Sequence, residues 1–474
     1  MRKYLNAIFR FIEAGAVGWF FIQAVRFLIT TLFAHASGAE IAARLYGPNP
    51  PPGVLPPRTV TTETLTLEVV AVAVAVLAPL AALVLGRWSL GPTVAAGVAA
   101  AARVMMINEE PVVQVVSVAV VLGAGALYFT FVARQDAEFF PVGLVVGLTL
   151  DQVVRALGDT RDLTLDPDFL APQTVISLLA LGVAALAWIT RAAPEAGGFP
   201  ATSEDDDDER SAEATARAER EGIITLWGGV AFGALLFLQL ALLGLPNAAA
   251  RWTNISYAIL LPWVVAATAL PLLPAVRGAA RAFIGIFDGA FRGWVWFLLI
   301  GLCLVMGTRL GGLLGAVGMV LGQFFAVLAL WWVVEPARAG AEAGAPARRP
   351  DRGRRFHFAG LGMVAAAVTL ALLAVGNLFT FVYGATTVAL VTAFRGMGWV
   401  IFVAAALLAC LPIILARTRI PWRGGSGWLS LAATLFVAGA ALTALVATQP
   451  VVAPTVQDAN QLRIATYNIH SGYS

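Results

Sequence analysis

Apolar runs recur along nearly the whole chain, separated by short polar segments. Crossing a bilayer as a helix takes about 20 consecutive apolar residues. Thirteen runs meet that length: Ala14–His35, Leu67–Gly86, Leu90–Ile107, Val112–Ala133, Phe139–Leu157, Pro172–Thr190, Ile223–Leu245, Asn254–Leu273, Phe283–Gly307, Gly312–Val334, Phe358–Tyr383, Met397–Ala416 and Trp428–Ala447. The third and fifth carry charge, and Thr386–Phe394 reads as a further partial helix. The pattern predicts an all-α polytopic membrane protein with about 13 transmembrane helices, arranged as two six-helix modules plus one. Residues 1–190 form the first module, 191–222 a charged linker, 223–416 the second module and 417–447 the last helix with its lead-in. A linker at 448–461 and a short C-terminal β-strand stub at 462–474 follow.

Composition agrees with the pattern. The chain is 59% hydrophobic and 12% charged, far from the roughly 25% charged residues of a soluble domain. A net charge of +3 does not point to nucleic acid, because the basic residues are dispersed among loops. The two cysteines, Cys303 and Cys410, fall inside apolar runs and read as small buried hydrophobes. His35, His357 and His470 are far apart, so no metal site is expected from side chains in the body of the chain. The run behind the basic N-terminus is too long for a cleaved signal peptide.

Basic residues gather on alternate loops, on segments holding Arg2, Lys3, Arg10, Arg87, Arg134, Arg191, Arg277, Arg281 and Arg348 to Arg355. Positive loops stay cytoplasmic, so the N-terminus is expected inside and, with an odd number of spans, the C-terminus outside. The linker motif EDDDDER at Glu204–Arg210 reads as a solvated segment, and RRPDRGRR at Arg348–Arg355 as a topology anchor or a contact for anionic lipid. The proline-dense stretch Gly47–Pro57 predicts an extended outer loop.

Charge within a span costs about 2.5–3.5 kcal/mol on insertion scales, so each instance calls for a partner. Asp151 and Arg155 are four residues apart on one helical face, and Asp288 and Arg292 repeat the spacing. Arg26 and Arg103 have no partner in their own helices; Glu68, Glu109 and Asp151 are candidates across helices. Two readings stay open for Arg26, Arg103, Asp151, Arg155, Asp288 and Arg292. One is an intramembrane polar site near the outer leaflet that holds a phosphate or lipid headgroup; the other is structural pairing with snorkelling. Small residues in Gly229–Leu236 and Gly311–Gly318 predict close helix contacts, and Pro79, Pro262 and Pro271 predict kinks or interruptions.

The terminal segment LRIATYNIHSG, from Leu462, has the alternation of a strand followed by a turn. It resembles the opening strand of the endonuclease/exonuclease/phosphatase family, whose first motif delivers an Asn to a Mg²⁺-centred site. That residue maps onto Asn468. Two six-span blocks, one more span and such a strand together resemble the PGAP-two-interacting proteins of GPI-anchor lipid remodelling. The resemblance implies an extracytoplasmic Mg²⁺-dependent phosphohydrolase acting on a phospholipid or glycolipid, with the bilayer as partner and this region as its anchor. It also implies that the acidic metal ligand and catalytic His follow Ser474, so that the chain as given is inert and His470 is a turn residue. The alternative is a six-plus-six-span transporter: the layout resembles the major facilitator superfamily, and GRWSLG at Gly86–Gly91 falls where that superfamily has a Gly- and Arg-rich loop.

Overall fold

The computed structural model describes residues 2–46, 62–85, 88–108, 110–158, 160, 162–192, 221–336, 352–378, 380, 396–415 and 427–447. The chain folds as a polytopic bundle of α-helices. The first group is α1 (Arg2–Tyr46), α2 (Thr62–Leu77), α3 (Ala81–Leu85), α4 (Gly91–Met105), α5 (Pro111–Gln135), α6 (Phe139–Leu157) and α7 (Leu170–Ala192). The second is α8 (Leu226–Leu238), α9 (Pro246–Thr253), α10 (Tyr257–Ala269), α11 (Pro274–Ile284), α12 (Gly289–Arg309), α13 (Gly312–Ala329), α14 (Arg352–Leu378), α15 (Gly398–Ala409), α16 (Leu411–Leu415) and α17 (Gly427–Ala447).

Among the described residues ten helices are long and apolar enough to cross a membrane, and eleven if α10 and α11 count as one bent span. The remaining predicted runs are helical but short or broken. Leu90–Ile107 yields only the 15-residue α4, because its polar exit at Asn108 and Glu110 stops the helix before Pro111. Met397–Ala416 breaks between α15 and α16 at Cys410, before Pro412. The prolines act unequally. Pro79 sits in a 3-10 turn, Ala78–Leu80, between α2 and α3. Pro271 ends α10 through another 3-10 turn, and α11 leaves at 83°. Pro262 lies inside α10 without interrupting it, since the helix runs on to Ala269.

Glycine sets the two tightest crossings. At the α1–α6 crossing, a Cβ on Gly18 would lie 2.0 Å from the Gly143 oxygen, and one on Gly147 would lie 2.3 Å from the Gly18 carbonyl carbon. The backbones therefore touch, replacing in lipid the packing that the hydrophobic effect supplies in water. Gly229 and Gly233 of α8 do the same against Gly362 and Ala366 of α14. The small-residue run at Gly311–Gly318 packs α13 on α12, with a Cβ on Gly318 only 2.8 Å from the Cys303 oxygen.

Among the described residues the larger of two hydrophobic clusters runs through both groups. An edge-to-face chain of rings links Phe21, Phe129, Phe140 and, across the seam, Phe232, whose centroid is 5.1 Å from that of Phe140. α14 leans on α2, α3 and α5, whereas α17 packs on α1, α6 and α10, so each covers one edge of the seam. A two-stranded antiparallel ladder, β1 (Gly222–Ile224) with β2 (Val334–Pro336), joins the start of α8 to the end of α13. The C-terminal strand predicted at 462–474 lies outside the described residues, as do the linker at 193–220 and the proline-dense loop.

Candidate functional site: a polar seam between the helix groups

The buried charges converge where α1, α4 and α6 meet the end of α8. Burial of ionic groups in a bilayer is tolerated when they face the bundle interior and pair. Arg26 on α1 and Asp151 on α6 satisfy both conditions. Their Nε and Oδ2 atoms lie 2.6 Å apart, off the hydrogen-bonding axis, and the side chains are 5% and 1% exposed. Arg155, one turn beyond Asp151, donates to Asp151 Oδ1 at 3.4 Å and to the Thr160 carbonyl at 3.3 Å. Asp151 is thus shared by two guanidinium groups.

A second partner of Arg26 belongs to the other helix group. The last turn of α8 widens into a π-helical turn, Gln239–Leu243, and stops at Gly244 ahead of Pro246. The helix end leaves carbonyls without intrahelical donors. Arg26 Nη2 donates to the Gly244 oxygen at 3.1 Å, and Gln152 Nε2 donates to it at 3.3 Å. A Cβ on Gly244 would sit 2.4 Å from the Gln239 oxygen, so a side chain there would collide with the turn that presents this carbonyl.

Beside it lies a second cluster. Arg103 on α4 is fully buried. Its Nε donates to Gln23 Oε1 at 2.9 Å, and its Nη2 donates to the Thr164 hydroxyl at 2.6 Å and the Thr164 carbonyl at 3.1 Å. Thr164 donates in turn to Asp162 Oδ1 at 2.6 Å, and Gln23 Nε2 donates to Asp162 Oδ2 at 3.0 Å and Thr164 Oγ1 at 2.7 Å. Deeper in the second group, Gln239 and Gln323 exchange two amide hydrogen bonds of 2.8 Å, and Gln323 also donates to Thr268 at 2.7 Å.

At the membrane face where α1 begins, Arg10 pairs with Asp136 at 2.6 Å. Arg277 of α11 spans the seam there. It donates to the Pro271 and Leu272 carbonyls at 2.9 and 2.8 Å, lies 5.3 Å over the Trp331 ring, and reaches Glu138 at 3.7 Å. Partial burial raises the Glu138 carboxyl above its usual range, with Arg277 opposing the shift.

The structure therefore brings Arg26, Arg103, Asp151 and Arg155 to one seam and leaves Asp288 and Arg292 apart from it. The expected Asp288–Arg292 pair is replaced: Asp288 stands at the N-cap position of α12 without a side-chain capping bond, and Arg292 donates to the Phe287 carbonyl at 2.9 and 3.1 Å. Asn468 and His470 lie outside the described residues. Sequence reasoning passed over Gln23, Gln152, Asp162, Thr164 and Gly244. Uncharged amides inside apolar runs, and the Asp-x-Thr turn at 162–164, were the signals available. Among the described residues no group of His, Cys, Asp and Glu is placed to hold a metal ion.

No family model matches the sequence, and no curated protein matches it. Solved structures do align. The E. coli fucose:proton symporter FucP is 10% identical, with 88% of this chain and 98% of that one covered and a TM-score of 0.44. A D-xylose–proton symporter is 12% identical over 89% and 100%, also at 0.44. A bacterial homologue of the human lysosomal transporter Spinster, in an inward-facing unoccupied conformation, is 12% identical over 94% and 98%, at 0.42. These comparisons overturn the expected endonuclease/exonuclease/phosphatase and PGAP-two-interacting resemblance. No family match supports it, and the aligned structures include major facilitator transporters. The hydrolase and GPI-anchor expectations fall with it. An eleven-residue pattern is short enough to arise without the domain it opens elsewhere.

Proposed function

We propose that the protein is a membrane transporter whose two helix groups shift about the polar seam. The observation that carries this reading is the junction at Gly244. Two donors of the first group, Arg26 and Gln152, meet one backbone carbonyl of the second, over a buried ion pair. A lipid anchor has no need of buried ionic groups, whose insertion is costly. Groups of this kind mark ion and solute routes in membranes. The contact is also easily remade, because it consists of hydrogen bonds to one carbonyl. At the opposite face the Glu138–Arg277 pair, 3.7 Å apart and partly exposed, is an ionic link across the seam. Opening at one face and closing at the other would exchange these two sets of contacts. The charge pattern of the loops supports a cytoplasmic start for α1, which puts the Arg26 seam toward the outer leaflet.

Side-specific labelling tests this. With Cys303 and Cys410 replaced by Ser, Gln152→Cys is introduced into the full chain in sealed liposomes and exposed to membrane-impermeant maleimide on one side at a time. A moving seam is labelled slowly from the outer side, and faster or slower once Glu138→Gln weakens the opposite lock. Complete protection from both sides, unchanged by Glu138→Gln, would mean a static bundle and would reject the proposal.

A further inference from the structure

We infer that the outer end of the seam binds an oxyanion, such as a carboxylate or phosphate group, through Arg103. The inference deepens the transporter reading and rests on it for the route by which the anion arrives. Its basis is a charge imbalance in a buried place. Among the described residues the seam holds three guanidinium groups, Arg26, Arg103 and Arg155, against two carboxylates, Asp151 and Asp162. Asp151 is already divided between Arg26 and Arg155. Asp162 reaches Arg103 only through Gln23 and Thr164, which relay hydrogen bonds but carry no charge.

An uncompensated buried cation is costly, and neutral hydrogen bonds only partly offset that cost. The geometry also leaves a donor free. Nη1 of the fully buried Arg103 meets no hydrogen-bond acceptor among the described residues, whereas Nε and Nη2 are both engaged. A guanidinium whose fork is held on one edge and open on the other is oriented for an oxyanion, which accepts from planar, fixed donors. Gln23 and Thr164 position that fork; Arg103 makes the contact. In the present conformation the helices close over Nη1, so entry needs the two groups to part at this face.

The shared chemistry has two sources, a soluble anion or a lipid headgroup, and one experiment separates them. The full chain is placed in nanodiscs of phosphatidylcholine, with or without phosphatidylglycerol, and its melting is followed by tryptophan fluorescence against sodium phosphate at constant ionic strength. A saturable upward shift with phosphate in pure phosphatidylcholine assigns the site to a soluble anion. A shift that appears only with phosphatidylglycerol assigns it to a headgroup. No shift in either arm overturns the inference. Arg103→Gln is expected to weaken the response about tenfold, the loss of one charge-assisted contact. Asp162→Asn keeps the Oδ1 acceptor for Thr164 but removes a negative charge, so it is expected to tighten the response. Should Arg103→Gln fail to fold, an unchanged or weaker response in Asp162→Asn would overturn the inference by itself. An anion response in a protein whose Gln152→Cys variant is never labelled would mean binding without parting of the groups, hence away from the buried Arg103, and would overturn both readings. Labelling without any anion response would overturn the anion site and leave the transporter reading standing.

Discussion

Removing Asp151 tests whether the seam is held by charge or merely filled by it. Asp151→Leu is similar in bulk and leaves the Arg26 guanidinium buried, with the Gly244 carbonyl as its remaining hydrogen-bond partner. At an effective dielectric near 20, two unit charges a few ångströms apart attract by on the order of 4 kcal/mol. Deleting one member of a buried pair costs about 3–5 kcal/mol, because the other charge stays behind. Arg155 loses its carboxylate partner in the same step and keeps the Thr160 carbonyl, which pushes the expected loss toward the upper end. Arg26→Met with Asp151→Leu removes both members. It sacrifices the hydrogen bond to Gly244, about 1 kcal/mol, and leaves no buried charge in that pair. The double variant is therefore expected to be more stable than Asp151→Leu alone, by about 2 kcal/mol or more. Reversible unfolding in mixed micelles reads the parent, the single variants Asp151→Leu and Arg26→Met, and the double variant. If Asp151→Leu falls within about 1 kcal/mol of the parent, or if the double variant loses the sum of the single losses, the ion pair is not what the geometry says it is. The double variant also separates support from function: a stable protein in which the labelling of position 152 no longer responds to Glu138→Gln is the expected outcome.

Two further results follow from the packing and the opposite face. Gly147→Val must push α1 from α6, since even a Cβ would meet the Gly18 carbonyl carbon at 2.3 Å and the Trp19 nitrogen at 2.5 Å. It should cost about 3 kcal/mol or more and lower the yield of monodisperse protein, whereas Gly182→Ala, with open space around it, should melt like the parent; equal melting of the two would refute the contact. Glu138 is raised by burial. Its contribution to stability is thus complete below the unfolded carboxyl value, near 4.3, and is lost as pH rises through the higher folded value. Two-fifths of the side chain remains accessible, so the dependence should be shallow. Melting curves of Glu138→Gln against pH should lack this decline, and a decline identical to the parent's would assign it to another group.

The hydrophobic pattern by itself determined the class of this protein. Runs long enough to span a bilayer leave the backbone no choice but helix, because nothing in lipid can satisfy an open carbonyl or amide. That constraint is local, so it is legible at Ala14–His35 or Gly312–Val334 without any neighbour. It also made Pro271 legible as a break, while Pro262, tolerated inside α10, shows that a proline's effect depends on what surrounds it. Leu90–Ile107, Asn254–Leu273 and Met397–Ala416 yielded short, bent or split helices, because length and hydropathy alone do not register the polar exit at Asn108, the turn at Pro271 or the break before Pro412. The seam was half legible. An Arg in an apolar run announces a partner, but sequence spacing favours partners on the same helix. It therefore suggested Asp288–Arg292, where Arg292 turns to a backbone carbonyl instead. Only the tertiary structure decided that Arg26 reaches Asp151 across α1 and α6. It alone set a carbonyl at Gly244 within reach of Arg26 and Gln152, and Gln23 and Thr164 around Arg103. Such contacts are between residues far apart in the chain, and their geometry exists only once glycine has let the helix backbones touch.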